Sequence, residues 1–526
     1  MNYYDAKTAK QIYDSMRGKR DAFLRRARRA SALTIPSLVP PDGHTAVRDF
    51  ADPEQSLGAR GLNHLSSKLL LTLLPPSAQM FRLVPDSVAR ELLAGEDPDS
   101  IELRADVDRV FAGMEQEVQA EVEHQGLRVS GAEILKHLVC AGNVCMFLPD
   151  EGGLEFYPLS MYVCKRDPRG NVLCFVLREE LSPHALPDDV RELALQTQEQ
   201  YGAGAALDTE TVEVFTKVVL RDGKYYVHQE INGTLVPGSE GEYLKDETPF
   251  HVLRWTKVAG EDYGRGLIEE YFGDLSAIER LSRATVDGAL AMARLVGLVS
   301  PNGTTDPHDM NEAENGDWVY GDADDISFAQ VQKFHDFQVV MQEKSVIAQR
   351  LEDAFLLNRS ATRQAERVTM GEISFVAQDL EAALGGVYSI LAQEFQLPLI
   401  KRLLSRLQSE GRLPKFEGKL KDHIHPTIVT GVDALGRFQE LERVRSVFRV
   451  MQGVIGPDQV AAVTNLGPLV DFLFANAGVR IEGLIKSEEQ IAQEQQQAQM
   501  MQAAQSLVQQ GTAPVINNAA AQGDQQ

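Results

Sequence analysis

The stretch NRSATRQAERVT, residues 358–369, decides how the rest of the chain is interpreted. It has few apolar residues, and Arg359, Arg363 and Arg367 follow one another at a spacing of four, which would place them on one face of a helix. It contains neither glycine nor proline, so it is not an ordinary turn. On a monomer, such a row is usually a solvated helical face whose aliphatic stems cover apolar neighbours.

Long helical patterns flank this stretch on both sides. Apolar residues recur at helical spacing over 264–295 and over 334–357, and the excursion 296–333 between them has strand-like ends and acidic turns. A third helix is predicted over about 370–410. The pair Gly385-Gly386 in its middle favours a kink, because glycine is costly inside a helix. The arginine row therefore lies between two of the longest helices of the chain.

The N-terminal half begins with helices and continues with strands. Helices are predicted over 6–32, over the leucine-rich segment that ends at Pro75, over 101–124, and up to the turn Ala141-Gly142-Asn143. From 144 to 260 short alternating or apolar runs are separated by turns such as RDGK and INGT, which predicts an antiparallel, strand-rich module. The predicted fold class is α+β, mainly helical.

Charge and length limit the possible functions. The 526 residues carry 76 acidic and 52 basic side chains, a formal charge of -24. Static nucleic-acid binders usually have a basic excess, because phosphate neutralisation supplies most of their affinity. The acidic balance argues against tight DNA binding and is compatible with a protein past which DNA slides. In helix 6–32, residues 17–29 include seven basic side chains, for which a solvated face is favoured over DNA contact.

Neither a disulfide framework nor a membrane segment is expected. The four cysteines show no zinc spacing, and the favoured interpretation is four reduced thiols that pack as small hydrophobic side chains. The N-terminus is polar where a signal peptide needs an apolar core, and no apolar run reaches about 18 residues. We therefore expect a protein that is made in the cytoplasm and does not cross a membrane alone.

No motif of an enzyme is found in the sequence. There is no GxxxxGK[ST] loop and no GxSxG elbow, and Glu269 stands where a dinucleotide fingerprint needs its third glycine. The histidine pair His423 and His425 is predicted to lie in a solvated loop turn rather than to bind a metal. We expect no catalytic residue, no cofactor and no metal.

The segment GDWVYGDADD, residues 316–325, is the densest acidic cluster of the excursion. Carboxylates at this density could hold a divalent ion, but the EF-hand spacing is absent. A solvated acidic loop or a docking surface for a basic partner is favoured. The predicted docking residues are Asp317, Trp318, Asp322, Asp324 and Asp325.

Four stretches together give the chain a resemblance to the portal, or head-to-tail connector, proteins of T7-like podoviruses. They are GARGLNHLSSKLLLTLLP (58–75), LVCAGNVCMFLPD (138–150), YGRGLIEEYFGDLSAIERL (263–281) and, most specifically, TRQAERVTMGEISFVAQDLEAALGGVYSILAQEFQLPLI (362–400). The resemblance runs from about residue 8 to about 480. The segments 181–211 and 411–426 and everything after about 486 show no secure match.

The resemblance implies a ring of twelve identical subunits around a central channel, with wing, stem, clip and crown regions. In the first half it implies a wing (1–263, N-terminal helices and the strand-rich module 144–260), a first stem helix (264–295), a clip (296–333) and a second stem helix (334–357). It then implies a tunnel loop (358–369), a kinked wing helix and return (370–430), a crown (431–486), and a Gln-rich C-terminal helix with a disordered tail (487–526).

The resemblance also implies a function and partners. The homododecamer would occupy one capsid vertex of the virion, at the head-tail junction, nucleate procapsid assembly, and conduct double-stranded DNA during packaging and ejection. Its partners would be the terminase large subunit, then tail adaptor and tubular proteins, with scaffolding, major capsid and internal core proteins. Arg359, Arg363 and Arg367 would form weakly gripping rings in an acidic channel, since arginine contacts to phosphate need not read bases.

Two other functions are weighed against this one. A ring-shaped head-tail adaptor or scaffold would bind proteins and never touch DNA. A metal-dependent nuclease would use the Asp317–Asp325 cluster, and its Mg²⁺-dependent cleavage would be lost in Asp324→Ala.

Overall fold

A computed structural model gives the structure of the chain as a mixture of helices and antiparallel sheets. The residues that it describes are 4, 6–45, 47–76, 79–89, 101–188, 190–192, 211–293, 296–329, 334–357, 376, 380, 382–415, 423–428, 444, 446–454 and 456. The chain divides into two compact units, residues 1–98 with 110–436, and residues 99–109 with 437–526. In the second unit, 446–454 is helical.

The helices of the N-terminal part begin and end where local signals place them. Their bounds are α1 (Ala9–Ala32), α2 (Leu57–Leu73), α3 (Ile101–His124) and α4 (Leu127–Ala141). Thr8 and Gln11 form a reciprocal capping box at the start of α1. Helix α2 ends just before Pro75 and Pro76, because neither proline can donate the next helical hydrogen bond. The four predicted helices are confirmed.

Helix α4 passes directly into the first strand of the predicted module. Gly142 has φ 72°, and a Cβ there would lie 2.3 Å from the backbone of Arg265, so glycine is needed for two reasons. Asn143 then exchanges two hydrogen bonds with the backbone of Gly264, at 2.7 and 2.8 Å. The predicted turn Ala141-Gly142-Asn143 is confirmed.

The strands up to residue 254 are all paired antiparallel, and those from β2 onward form the predicted module. Their bounds are β1 (Phe81–Pro85), β2 (Asn143–Phe147), β3 (Glu155–Pro158), β4 (Tyr162–Arg166), β5 (Val172–Leu181), β6 (Val212–Arg221), β7 (Lys224–Ile231), β8 (Thr234–Leu235), β9 (Gly241–Leu244) and β10 (Phe250–Arg254). One sheet has the order β4-β5-β6-β7-β8, with β9 also on β7, and another has the order β10-β2-β3. The β6–β7 turn has φ 47° at Asp222 and 82° at Gly223, as type I′ requires.

Helix α1 lies on the larger sheet. Its apolar face, Ile12, Tyr13, Leu24 and Ala27, is buried against side chains of β4, β5 and β6. The free energy of burying such side chains, roughly 1.5–3 kcal/mol each when complete, is what holds the helix to the sheet. The expectation of a solvated basic face was wrong for Arg20, which is buried and donates to the carbonyl of Ser160 at 2.6 Å.

The part of the chain after residue 264 is mainly helical. Its elements are α5 (Leu267–Glu270), α6 (Phe272–Ala293), β11 (Val296–Val299), α7 (Pro307–Glu312), β12 (Ile326–Ala329), α8 (Phe334–Ala354), α9 (Gly386–Leu391), a π-helix (Ala392–Gln396), α10 (Leu397–Ser409) and β13 (Ile424–Ile428). The helical pattern of 264–295 is divided at Tyr271. The helix predicted over 370–410 is interrupted at Gly385, which has φ 53°.

Strand β13 corrects the expectation of a loop at the histidine pair. It pairs antiparallel with β1 over Phe81↔Ile428 to Pro85↔Ile424, so His425 lies in a strand and His423 just before it. His423 Nδ1 lies 2.7 Å from the Asp86 carboxylate. The pairing joins segments more than 300 residues apart, which no local pattern could indicate.

The four cysteines confirm the prediction of buried thiols. All four are buried and none forms a disulfide, and burial raises the pKa of the Cys140 thiol to about 12. The Cys140 thiol therefore stays protonated at neutral pH. None of the described helices is long and apolar enough to span a membrane.

Candidate functional site: the helix pair and its hairpin

Helices α6 and α8 pack against each other in antiparallel orientation. The segment 296–329 lies between them in sequence, and its ends pair as the strands β11 and β12; we call this segment the hairpin. At one point the two helices touch closely: a Cβ added at Gly288 would lie 1.9 Å from the ring of Phe337. Near the other end of the pair, Arg350 Nη2 lies 3.3 Å from the Asp274 carboxylate. The pair is therefore held by shape at one end and by an ion pair at the other.

The half of this pair next to the hairpin is not covered by the other described parts of the chain. In α6, the last buried residue is Ser282, and from 337 to 346 in α8 no described side chain is buried. The exposed apolar side chains include Leu290, 66% exposed, and Val339, 62% exposed. Residues 284–293 contain one charged side chain, Asp287. Contiguous exposed apolar surface is typical of contacts with another molecule.

The opposite end of α8 is fixed on α2. A Cβ at Gly61 would lie 2.4 Å from the ring of Phe355, which is fully buried. The Lys68 ammonium donates to the Leu356 carbonyl at 3.1 Å, and Arg60 pairs with Glu352 at 2.7 Å. These contacts determine where the chain leaves α8.

Leu356 adopts a backbone conformation that is unusual for its residue type. Its φ is 57°, in the left-handed region, where a non-glycine residue is strained. Two groups of α2 face its backbone, Lys68 and His64, and burial together with the Lys68 charge lowers the pKa of His64 below its ordinary value. The surrounding contacts therefore maintain a local strain two residues before the arginine stretch.

The three predicted channel residues, Arg359, Arg363 and Arg367, lie outside the described residues. The structure does show where the stretch that contains them begins. It follows the end of α8, which the contacts of Phe355 and Leu356 fix on α2. The sequence analysis did not single out Gly61, Lys68 or Leu356. A glycine inside an otherwise good helix was the available signal for Gly61, because glycine there usually has a packing reason.

The predicted docking residues lie on the hairpin, between β11 and β12. Several of the carboxylates have structural roles: Asp325 accepts from Thr304 N at 2.8 Å, Asp322 from Asp324 N at 3.0 Å, and Asp317 from Glu314 N at 2.8 Å. They cap turns, as aspartate commonly does. Within the described part of the chain, no group of three or more His, Cys, Asp or Glu side chains could hold a metal ion.

Two aromatic side chains at the hairpin are almost wholly exposed. Trp318 is 98% and Tyr320 is 97% exposed. Residues 296–329 carry eight carboxylates and no lysine or arginine. The hairpin thus combines large apolar surface with uniform negative charge. Sequence reasoning included Trp318 and missed Tyr320, although both lie in the same WVY triplet.

Comparison with known proteins gives a consistent result. A sequence model of the family described as bacteriophage head to tail connecting protein matches residues 6–484. The portal protein of Escherichia phage T7 is 39% identical over 493 residues, covering 92% of this chain and 89% of the relative. The portal protein of Enterobacteria phage T3 is 38% identical over 523 residues, covering 98% and 92%.

Among solved structures, a chain from the neck of an empty GTA particle is 10% identical. It covers 74% of this chain and 86% of the neck chain, with a TM-score of 0.34. This likeness is too weak to support an argument.

Proposed function

The chain belongs to the bacteriophage head to tail connecting protein family, the portal proteins of podoviruses, and from that premise we propose that it assembles as a homododecameric ring at one capsid vertex. The ring encloses a channel for double-stranded DNA during packaging and ejection. Its relatives are named as portal proteins and not as enzymes, and the proposal needs no catalytic residue, cofactor or metal.

The observation that supports ring assembly is the uncovered half of the α6–α8 pair. In this half of the pair, the contact between the two helices leaves apolar side chains exposed, among them Leu290, Val339 and Met341, the last 54% exposed. In a ring, each pair has a neighbouring pair on both sides, so one face of a pair is covered by a different face of the next pair. The pair then acts as the stem, with the wing formed by 1–263 and 370–430 and the crown by 431–486.

The arginine stretch is proposed to line the channel as the tunnel loop. The position at which the stretch begins is fixed by two contacts with α2. The ring of Phe355 packs on Gly61, in a space left by the missing side chain that we call the Gly61 notch, and Lys68 contacts Leu356. Twelve copies of Arg359, Arg363 and Arg367 would hold a phosphate backbone by charge-assisted contacts without reading bases. The acidic balance of the chain keeps other contacts weak, so that DNA slides.

The hairpin is proposed to be the clip, the docking surface for the terminase large subunit and then for tail adaptor and tubular proteins. Exposed tryptophan and tyrosine are the side chains most often found as binding hot spots. The eight carboxylates of 296–329 favour a partner with a basic cleft around an apolar pocket. Scaffolding, major capsid and internal core proteins are proposed to contact the other regions.

The experiment that tests assembly is the native mass of the purified protein, with particle images down the symmetry axis. We expect a ring of about 700 kDa, twelve times 58.1 kDa, with a central hole that is wide enough for a duplex. The variant Leu290→Asp should lose the ring, since each interface would bury a new charge. The control Val129→Asp, at an exposed residue of α4, should keep it. A monomer at all concentrations would refute the ring.

DNA contact separates this function from its runner-up, a ring-shaped adaptor or scaffold that never touches DNA. Both predict rings. The runner-up predicts that removing the three arginines leaves genome packaging unchanged, whereas the channel function predicts loss of packaging with intact rings.

A further inference from the structure

A cavity lined by arginines lies between α1 and the larger sheet. Its volume is about 490 Å³, and α1 contributes Arg17, Arg20, Arg25 and Arg28 to its wall, while β5 contributes Arg178. Three carboxylates, those of Asp21, Asp42 and Glu180, also line it. Five guanidinium groups against three carboxylates leave an excess of two positive charges in a chain whose formal charge is -24.

The inner wall of the cavity is rigid. Arg20 is 3% exposed, and it donates to the carbonyls of Ser160 at 2.6 Å and Leu159 at 3.2 Å. Arg28 donates to the Pro40 carbonyl at 3.0 Å, and Arg178 donates to Glu213 at 3.0 Å. Guanidinium groups that are held in this way are already positioned for a ligand, so little side-chain entropy is lost on binding.

The outer arginines are less engaged. Arg17 lies 3.6 Å from the Asp21 carboxylate, which Arg20 already contacts at 2.9 Å. Arg25 is exposed and has neither a hydrogen bond nor an ion pair within the described part of the chain. Its neighbours in sequence differ, because Arg26 and Arg29 stack on Phe23 and Phe272. Some basic residues of α1 thus serve internal packing, and others line the cavity.

We propose that this cavity receives carboxylate side chains from a second copy of the chain, at the contact between neighbours in the ring. The proposal rests on ring assembly. Chains with a charge of -24 repel one another, and a site with an excess of two positive charges localises attraction at one place. One or two carboxylates match that excess, and arginine binds carboxylate through paired hydrogen bonds.

Double-stranded DNA fits the cavity less well. A duplex presents one negative charge about every 1.7 Å along its axis, and three carboxylates of the lining would lie against that continuous row. The carboxylates of Asp42 and Glu180, 92% and 54% exposed, stand at the open side. A discrete acidic side chain can avoid them, whereas a phosphate backbone cannot.

The test compares two charge reversals on the same helix. Arg25→Glu changes a cavity residue, and Lys19→Glu changes an exposed residue of α1 that does not line the cavity. In low salt, we expect the protein concentration at half assembly to rise about tenfold or more for Arg25→Glu, because like charges then face each other across the interface. The control should assemble like the wild type, and Arg25→Lys should restore most of the affinity. Circular dichroism should show equal helix content in all variants.

Each other outcome has a definite meaning. Equal assembly of Arg25→Glu and Lys19→Glu would overturn the proposal. Loss of binding to a fluorescein-labelled duplex with unchanged assembly would also overturn it and assign the cavity to DNA. If the wild type forms no ring at any concentration, the proposed function itself fails, which is a separate result.

Discussion

The notch at Gly61 allows the most direct test of how the arginine stretch is positioned. In the variant Gly61→Ala, the new methyl group would lie 2.4 Å from Phe355 Cγ and 3.0 Å from Phe355 Cβ. Rotating the ring cannot relieve a contact with Cβ, and Phe355 is fully buried. The end of α8 must therefore move away from α2.

The free-energy change can be separated into two parts. Alanine in place of glycine favours a helix interior by about 1 kcal/mol, and overpacking a buried site costs about 1–3 kcal/mol. Gly18→Ala in α1 has the first part alone, since nothing lies within 4 Å of the added Cβ. The free energy of unfolding should therefore be about 1–3 kcal/mol lower in Gly61→Ala than in Gly18→Ala.

The assay is urea unfolding of wild type and both variants at one protein concentration, because assembly makes apparent stability depend on concentration. A double-mutant cycle with Phe355→Leu should remove most of the difference, since the ring atoms are absent. The reasoning would be refuted if Gly61→Ala and Gly18→Ala stabilise the protein equally. Rings of Gly61→Ala should also package less DNA, because the start of the arginine stretch is displaced.

Three further predictions concern the channel, the hairpin and the core. Replacing the tunnel-loop arginines by alanine should leave rings intact and lower genome packaging or retention; loss of the rings would show that the side chains serve folding. The residues changed are Arg359, Arg363 and Arg367. Trp318→Ala should weaken binding of the tail adaptor by about 2 kcal/mol, roughly 30-fold, in a titration, whereas Met310→Ala, at a 42% exposed residue, should not. Burial lowers the pKa of His137 to about 4. Below about pH 6.5, His137 therefore binds a proton in the unfolded state but not in the folded state. Acidification from about pH 7 to about pH 5 should lower the free energy of unfolding by about 2 kcal/mol, and this loss should be absent in His137→Gln.

Local signals determined which parts of the fold were predictable. The turns RDGK and INGT specify two-residue hairpins by their own backbone preferences, and both have positive φ at the expected residues, Asp222-Gly223 and Asn232-Gly233. The β1–β13 pairing was not predictable, because its stability depends on a partner strand far away in sequence. The break at Tyr271 likewise lies within an unbroken apolar period.

The candidate site was predictable in position and less so in detail. The sequence indicated an acidic hairpin, yet only the contacts show that Asp325 and Asp322 serve as turn caps as well. Trp318 could be identified from its residue type, but its exposure required the structure. The backbone conformation of Leu356 was not predictable. Its positive φ is unfavourable for leucine, and only tertiary contacts maintain it.

The distribution of buried charge strengthens the argument for an acidic surface. Among the described residues, seven lysine or arginine side chains are buried and only three carboxylates, those of Glu115, Glu121 and Glu230. Several of the buried cations pair with partly exposed carboxylates, as Arg254 does with Glu394 and Arg402 with Asp150. Basic groups are therefore removed from the surface in greater number than acidic ones, and the exterior is more acidic than the composition suggests. On such a surface most contacts with a phosphate backbone are weak, and we expect DNA to be held at the arginine stretch 358–369 and to slide elsewhere.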